Sequence, residues 1–258
     1  MGTSTWHRSP DTEAWRRVRE LYAQPDPSPP EVARRIVEAL DPDTRSGMRG
    51  PAVVTCLGTV VEGSQAVAAD GLEATLQRLG VGAEPPAVQM AAGLRNRAEK
   101  LIARQALASR FGDLALDAVG TSALAIAALS DAGTGVMELP LAVAEANFAR
   151  FDREGQLHDL AALFVGHDLD RTFRYFVSRD VGDFIGGEGL PTVSHASRLE
   201  DAVAAHCRGT WQQLELSEHE DLLSRTLDTA PDERVELLRP VVVDGAAQGL
   251  ELLGSGGT

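Results

Sequence analysis

Apolar residues recur at three- and four-residue spacing along almost the whole chain, and strict apolar–polar alternation is absent. That period is the signature of helices that bury one face, so the chain must fold by packing helices on helices. Trp15, Val18 and Tyr22 form the first such seam, behind a helix start read at Ser9-Pro10-Asp11. Val32, Ile36 and Leu40 form the second, with Ser28 and Glu31 at capping-box spacing. Val53 to Val61 is β-branched, but its lack of alternation favours a buried helix. Leu72 to Leu79 closes on Gly80, a long helix runs from Pro86 to about Arg110, and Leu114 to Leu129 is apolar nearly all round. A further long helix, from about Gly155 to Arg179, carries Leu157, Leu160, Phe164, Leu169, Phe173, Phe176 and Val177. Four of the seven phenylalanines lie between Phe151 and Phe176, which places the heaviest part of the core there. Ser197 with Glu200 and Ser217 with Glu220 read as two more capping boxes. Pro231 and Pro240 punctuate two short last helices, and Val241-Val242-Val243 is a strand candidate without a partner. The expectation is an all-α, irregular multi-helix globule of about nine or ten helices. Its domain spans 11–253, with a sub-boundary near 131–139 and flexible tails over 1–10 and 254–258.

At 258 residues the chain can bury a core without disulfides or a structural metal. Its net charge of −14 argues against direct nucleic-acid binding and against adsorption to anionic membranes. No apolar run approaches the roughly 20 residues of a span, and no signal peptide is legible. Cys56 and Cys207 read as small buried hydrophobes rather than a disulfide framework. These features predict a cytoplasmic protein.

Catalytic motifs fail one after another. The chain has a single lysine, Lys100, and no phosphate loop around it. Gly186-Gly187-Glu188-Gly189 lacks dinucleotide-binding spacing and a preceding strand. Gly120-Thr121-Ser122-Ala123-Leu124 lacks the second glycine of a nucleophile elbow. His158-Asp159 and His167-Asp168 are nine residues apart, a rotation of about 900° that puts them on opposite helix faces. His195, His206 and Cys207 have no metal-ligand spacing. The carboxylates Glu218, Glu220, Asp221, Asp228, Asp232, Glu233 and Glu236 read as a solvated acidic face, open to a basic partner. No cofactor, catalytic residue or metal site is expected.

The chain ends are more specific. Removal of Met1 leaves Gly2, whose amine has a pKa near 7.7–8.0 and little steric bulk around it. Lys100 titrates near 10.4, so Gly2 is the better acyl acceptor of the two. Trp6 stands where N-myristoylation needs Ser or Thr. The C-terminal Gly254-Ser255-Gly256-Gly257-Thr258 follows a helical pattern and reads as a frayed end.

Met1-Gly2-Thr3-Ser4, with Pro10 a few residues on, resembles the N-termini of QatB-type proteins. These are small accessory proteins of bacterial anti-phage operons that also encode an ATPase, a QueC-like deazapurine enzyme and a TatD-like nuclease. Trp6, His7 and Arg8 depart from the Gly/Ser-rich continuation expected after such a start. The resemblance implies a non-catalytic protein whose Gly2 accepts a 7-deazaguanine group from the QueC-like, ATP-dependent partner. Thr3 and Ser4 would then contact the enzyme, and Trp6 would anchor in its cleft. Two alternatives remain open. One is an unmodified all-α adaptor that acts through its acidic C-terminal helices. The other is a metal-dependent enzyme built on His158, His167, His195 or His206.

Overall fold

One helix collects the aromatic seam and has no fully exposed residue, so the other helices are best described by how they cover it. The computed structural model describes residues 9–129 and 135–255. In chain order its helices are α1 (Glu13–Tyr22), α2 (Pro29–Ala39), α3 (Pro42–Gly47), α4 (Pro51–Asp70), α5 (Leu72–Leu79) and α6 (Pro86–Arg104). There follow α7 (Arg110–Ala127), α8 (Leu141–Arg153), α9 (Leu157–Val181), α10 (Val193–Gly209), α11 (Glu220–Ser224) and α12 (Arg234–Gly254). Ten of these have eight or more residues, as the 3.6-residue period predicts, and the described residues form no sheet. The fold is all-α.

The spine is α9. Leu160, Phe164, Phe173, Phe176 and Val177 are buried along it, and α1, α2, α4, α7, α8, α10, α11 and α12 all pack on it. Full burial of each Phe is worth about 1.5–3 kcal/mol, so these side chains hold the layers together. A second buried helix, α4, lies against α7, α8 and α12. The stretch Pro42–Asp70 has the length and hydropathy to cross a membrane, yet 78% of its most apolar window is buried inside the protein. That corrects the expectation that no apolar run is long enough, and burial explains the composition.

Several local expectations shift. α1 starts at Glu13, because the Thr12 side chain accepts from the Trp15 N–H at 3.3 Å and so caps the helix. The long segment after Pro86 divides at 105–109, and Ser109 caps α7 by accepting from Gly112 N–H at 3.0 Å. Ser197 and Glu200 lie inside α10, which begins at Val193, so they are not a capping box. Ser28 precedes α2 but makes no side-chain cap bond. The two short last helices are one 21-residue helix, α12, with Pro240 inside it and Val241-Val242-Val243 helical. Proline there removes a backbone donor. Burial of Leu238, Val241 and Val242 beside it keeps the helix whole.

Two helix starts are capped from distant parts of the chain. Glu145 of α8 accepts from Leu72 N–H at 2.9 Å, at the start of α5. Glu220 accepts from Leu157 N–H at 3.2 Å and His158 N–H at 2.9 Å, at the start of α9. A carboxylate is favoured at both places because helix N-termini carry unpaired donors and positive dipole ends.

Close approach is enforced by Gly166. A Cβ there would lie 2.8 Å from Trp211 Cβ and 2.9 Å from the Arg208 carbonyl oxygen. Gly166→Ala should therefore force α9 away from the end of α10, at a cost of about 1–3 kcal/mol. Gly120, on the open face of α7, has nothing within 4 Å of its would-be Cβ. Gly120→Ala should be neutral or stabilising by up to about 1 kcal/mol. Thermal melts of the two variants check this contrast, since the same substitution is expected to have opposite signs.

Candidate functional site

The C-terminal end of α9 carries the densest polar and aromatic cluster outside the apolar core. Asp180 is 2% exposed and sits where the helix dipole disfavours a carboxylate. Ser9 answers it twice. Its backbone N–H donates to Asp180 Oδ1 at 3.1 Å, and its hydroxyl donates to Oδ2. Hydrogen bonds to a charged acceptor in a buried place are worth more than neutral surface ones. Ser9 is therefore packed on the body, although it lies inside the span expected to be a tail. Beside the anchor, Trp15 packs on Phe176 with ring centres 5.6 Å apart. The Arg179 guanidinium lies 4.8 Å from the Trp15 ring centre, a cation–π distance.

The expected site residues Gly2, Thr3, Ser4 and Trp6 lie outside the described residues. What the structure places is their point of attachment. Sequence reading missed Ser9 and Asp180 because 171 positions separate them and no local pattern links the pair.

The histidines do not converge. His158 Nδ1 lies 2.8 Å from Glu220 Oε2, in the cap of α9. Glu220 is thus a structural partner, not part of the solvated acidic face expected for it. His195 Nδ1 lies 2.8 Å from Thr192 Oγ1 at the start of α10. His206 is half-buried, and burial lowers its pKa. His167 is buried, and its pKa falls to about 4 through burial and the nearby Arg208 and Arg171 charges. His219, which the sequence did not single out, lies 2.8 Å from Asp244 and 3.7 Å from Glu218. Those three could offer one nitrogen and two oxygens to a metal. Glu218 is exposed and Asp244 half-buried, and the arrangement is also an ordinary histidine–carboxylate pair.

Asp168 and Asp170 are buried charges of opposite fate. Asp170 accepts from Arg208 Nη1 at 2.9 Å. Asp168 has a buried oxygen without a hydrogen-bond partner, and burial raises its pKa to about 8. It lines none of the described cavities, so it offers no reactive group to a ligand. The glycine cluster does line one, a cavity of about 600 Å³ with Pro25, Pro27, Glu188, Gly189 and His195 on its walls. Gly189 is held against the carbonyls of Tyr22 and Gln24, where a Cβ would come within 2.5 Å of both oxygens.

No protein-family model, curated protein or solved structure matches the chain.

Asp168 generates a pH prediction. Its folded pKa is raised above the unfolded value, so the folded form holds a proton that the unfolded form releases. Stability linked to this group is complete below about pH 4 and declines as pH rises to about 8. Asp168→Asn, which keeps the shape and removes the titration, should raise the melting temperature at pH 8 by several degrees. The gain should shrink towards pH 4. Paired melts of the two proteins across that window check both the sign and the slope.

Proposed function

We propose that the protein is a non-catalytic helical body that presents its N-terminal segment to a modifying enzyme, with Gly2 as the acceptor. The observation that carries this reading is the double hydrogen bond from Ser9 to Asp180, which pins the segment to the end of the central helix. From Ser9 to Gly2 is seven residues, at most about 25 Å of extended chain. An enzyme that acts on Gly2 must then dock within that radius of the α1 and α9 ends. The acceptor and the body are thereby separated, so that the chemistry and the docking of the enzyme on the body happen on different parts of one chain.

The chemistry follows from the acceptor. The Gly2 amine, partly neutral near pH 7.7–8.0, attacks an activated carboxyl carbon. A C–N bond forms, the activating group leaves and the amine loses a proton. ATP in a QueC-like partner would supply the activation, and a deazapurine carboxyl would be the donor. Thr3 and Ser4 offer hydroxyls and backbone groups to the enzyme's cleft, and Trp6 offers a large anchoring surface. The ATPase and nuclease of such an operon are the further partners of this reading, which places the protein in bacterial antiviral defence.

A second reading has its own support. Glu218, Asp221, Asp228, Asp232 and Glu233 are all exposed around α11 and the start of α12, a surface suited to a basic partner. On that reading residues 1–8 are dispensable.

Intact mass and N-terminal peptide mapping of protein made from its operon, against protein made alone, separate the two. An added mass on Gly2 found only with the operon is expected, with Lys100 unmodified. Ser9→Ala should lower the modified fraction several-fold while leaving the fold intact. An unmodified Gly2 in both preparations would contradict the proposal and favour the adaptor.

A further inference from the structure

The same end of the molecule holds a cavity of about 350 Å³, lined by Pro10, Trp15, Asp41, Thr44, Arg110, Phe176 and Arg179. We propose that this cavity is a binding site for a small phosphate-bearing molecule. The proposal does not depend on modification of Gly2.

Charge is the first ground. The chain carries 38 acidic and 24 basic side chains, and about half of its described arginines are ion-paired. Arg97 and Arg234 share Glu62, Arg208 meets Asp170, Arg174 meets Asp201 and Arg239 meets Glu236. Arg110 and Arg179, both lining this cavity, make no hydrogen bond or ion pair with any described residue. Two guanidiniums on one cavity, neither of them ion-paired, create a local positive potential inside a negative molecule.

Preorganisation is the second. Both guanidiniums stand over the Tyr175 ring, Arg110 at 5.4 Å and Arg179 at 5.7 Å from its centre. Arg179 is also held over Trp15 at 4.8 Å and Phe176 at 5.4 Å. The aromatic floor fixes the forks without neutralising them, because a ring face attracts a cation but accepts no conventional hydrogen bond. Two of the three Arg179 nitrogens, Nε and Nη2, are buried with no acceptor. That is a desolvated cation still without its counter-charge.

The rest of the wall is consistent with an anion. Arg110 is the first residue of α7, so the positive end of that helix dipole adds to the field. Asp41 is the one carboxylate among the lining residues. It is committed to capping α3, with Thr44 N–H and Thr44 hydroxyl both donating to it at 2.8 Å. Those bonds hold its pKa below the usual carboxylate range, so it stays charged and offsets part of the potential. Two guanidinium forks against one engaged carboxylate leave a net positive pocket. A phosphomonoester, with up to two negative charges and three terminal oxygens, matches two forks better than a carboxylate does. The volume exceeds that of an inorganic phosphate and falls in the range of small-ligand sites.

The test is calorimetric titration of the full chain, expressed alone, with ribose 5-phosphate, inorganic phosphate and ribose at low ionic strength. Saturable one-site binding of a phosphate-bearing probe, with none of ribose, is expected. Tighter binding of ribose 5-phosphate would identify an organic phosphate as the ligand, and equal binding would identify free phosphate. Arg110 is exposed, so Arg110→Gln should fold, and it should weaken binding about ten-fold or more. Arg17→Gln, which removes an exposed arginine paired with Glu13, should leave binding unchanged. The site is overturned by no saturable binding tighter than about 1 mM. It is equally overturned by affinity that survives Arg110→Gln, or falls as much in Arg17→Gln.

Discussion

Burial of α9 along most of its length is the constraint from which the rest of this structure follows. Along most of its length it has no solvent-facing stripe; between Leu160 and Val181 only Arg171, Arg174, Tyr175, Ser178 and Arg179, near its C-terminal end, are partly exposed. Its own polar groups must be answered by whatever packs against it. Asp170 is answered by Arg208 from α10, and the first N–H groups by Glu220 from the start of α11. Asp168 is not answered and keeps its proton instead. At the far end Asp180 is answered by Ser9. Neighbouring elements are thus tied to α9 by specific polar contacts as well as by Phe164, Phe173 and Phe176.

The last of those ties fixes the position of Ser9. The N-terminal segment is held at one corner, the C-terminal end of the spine, rather than left to emerge from a frayed α1. On the proposed function, an origin fixed there lowers the entropic cost of delivering the segment to a partner. The arginine-lined cavity occupies the same corner. Its guanidiniums are fixed by Trp15, Tyr175 and Phe176, residues that belong to the same packing of α1 on α9.

The spacing of apolar residues made the fold class and most helices legible, because a 3.6-residue period reports directly which face is buried. Gly80 was read correctly as a stop and adopts a left-handed conformation with φ of 72°. Boundaries set by local chemistry were less legible. Ser197 with Glu200 has capping-box spacing, yet the apolar contacts of Ala196 and Leu199 extend α10 back to Val193. Pro240 suggested a break, but tertiary burial of its neighbours overrides it. What the sequence could not reveal were contacts across long separations. Glu145 on Leu72, Glu220 on His158 and Ser9 on Asp180 are each invisible to any window of local sequence. The candidate site is of that kind, so its anchor emerged only from the fold. The residues chosen from the sequence, Gly2 to Trp6, precede it in the chain.

Hydrogen exchange resolved to single amides tests the central claim, that the end of a buried spine pins the N-terminal segment. The amides of α9 from Leu163 to Val177 should exchange only with global unfolding. The Ser9 amide should be strongly protected, and Asp180→Ala, which removes the acceptor, should release it while the α9 amides stay protected. Exchange of the wild-type Ser9 amide at the rate of an unstructured chain, or loss of α9 protection before the surrounding helices open, would contradict the account.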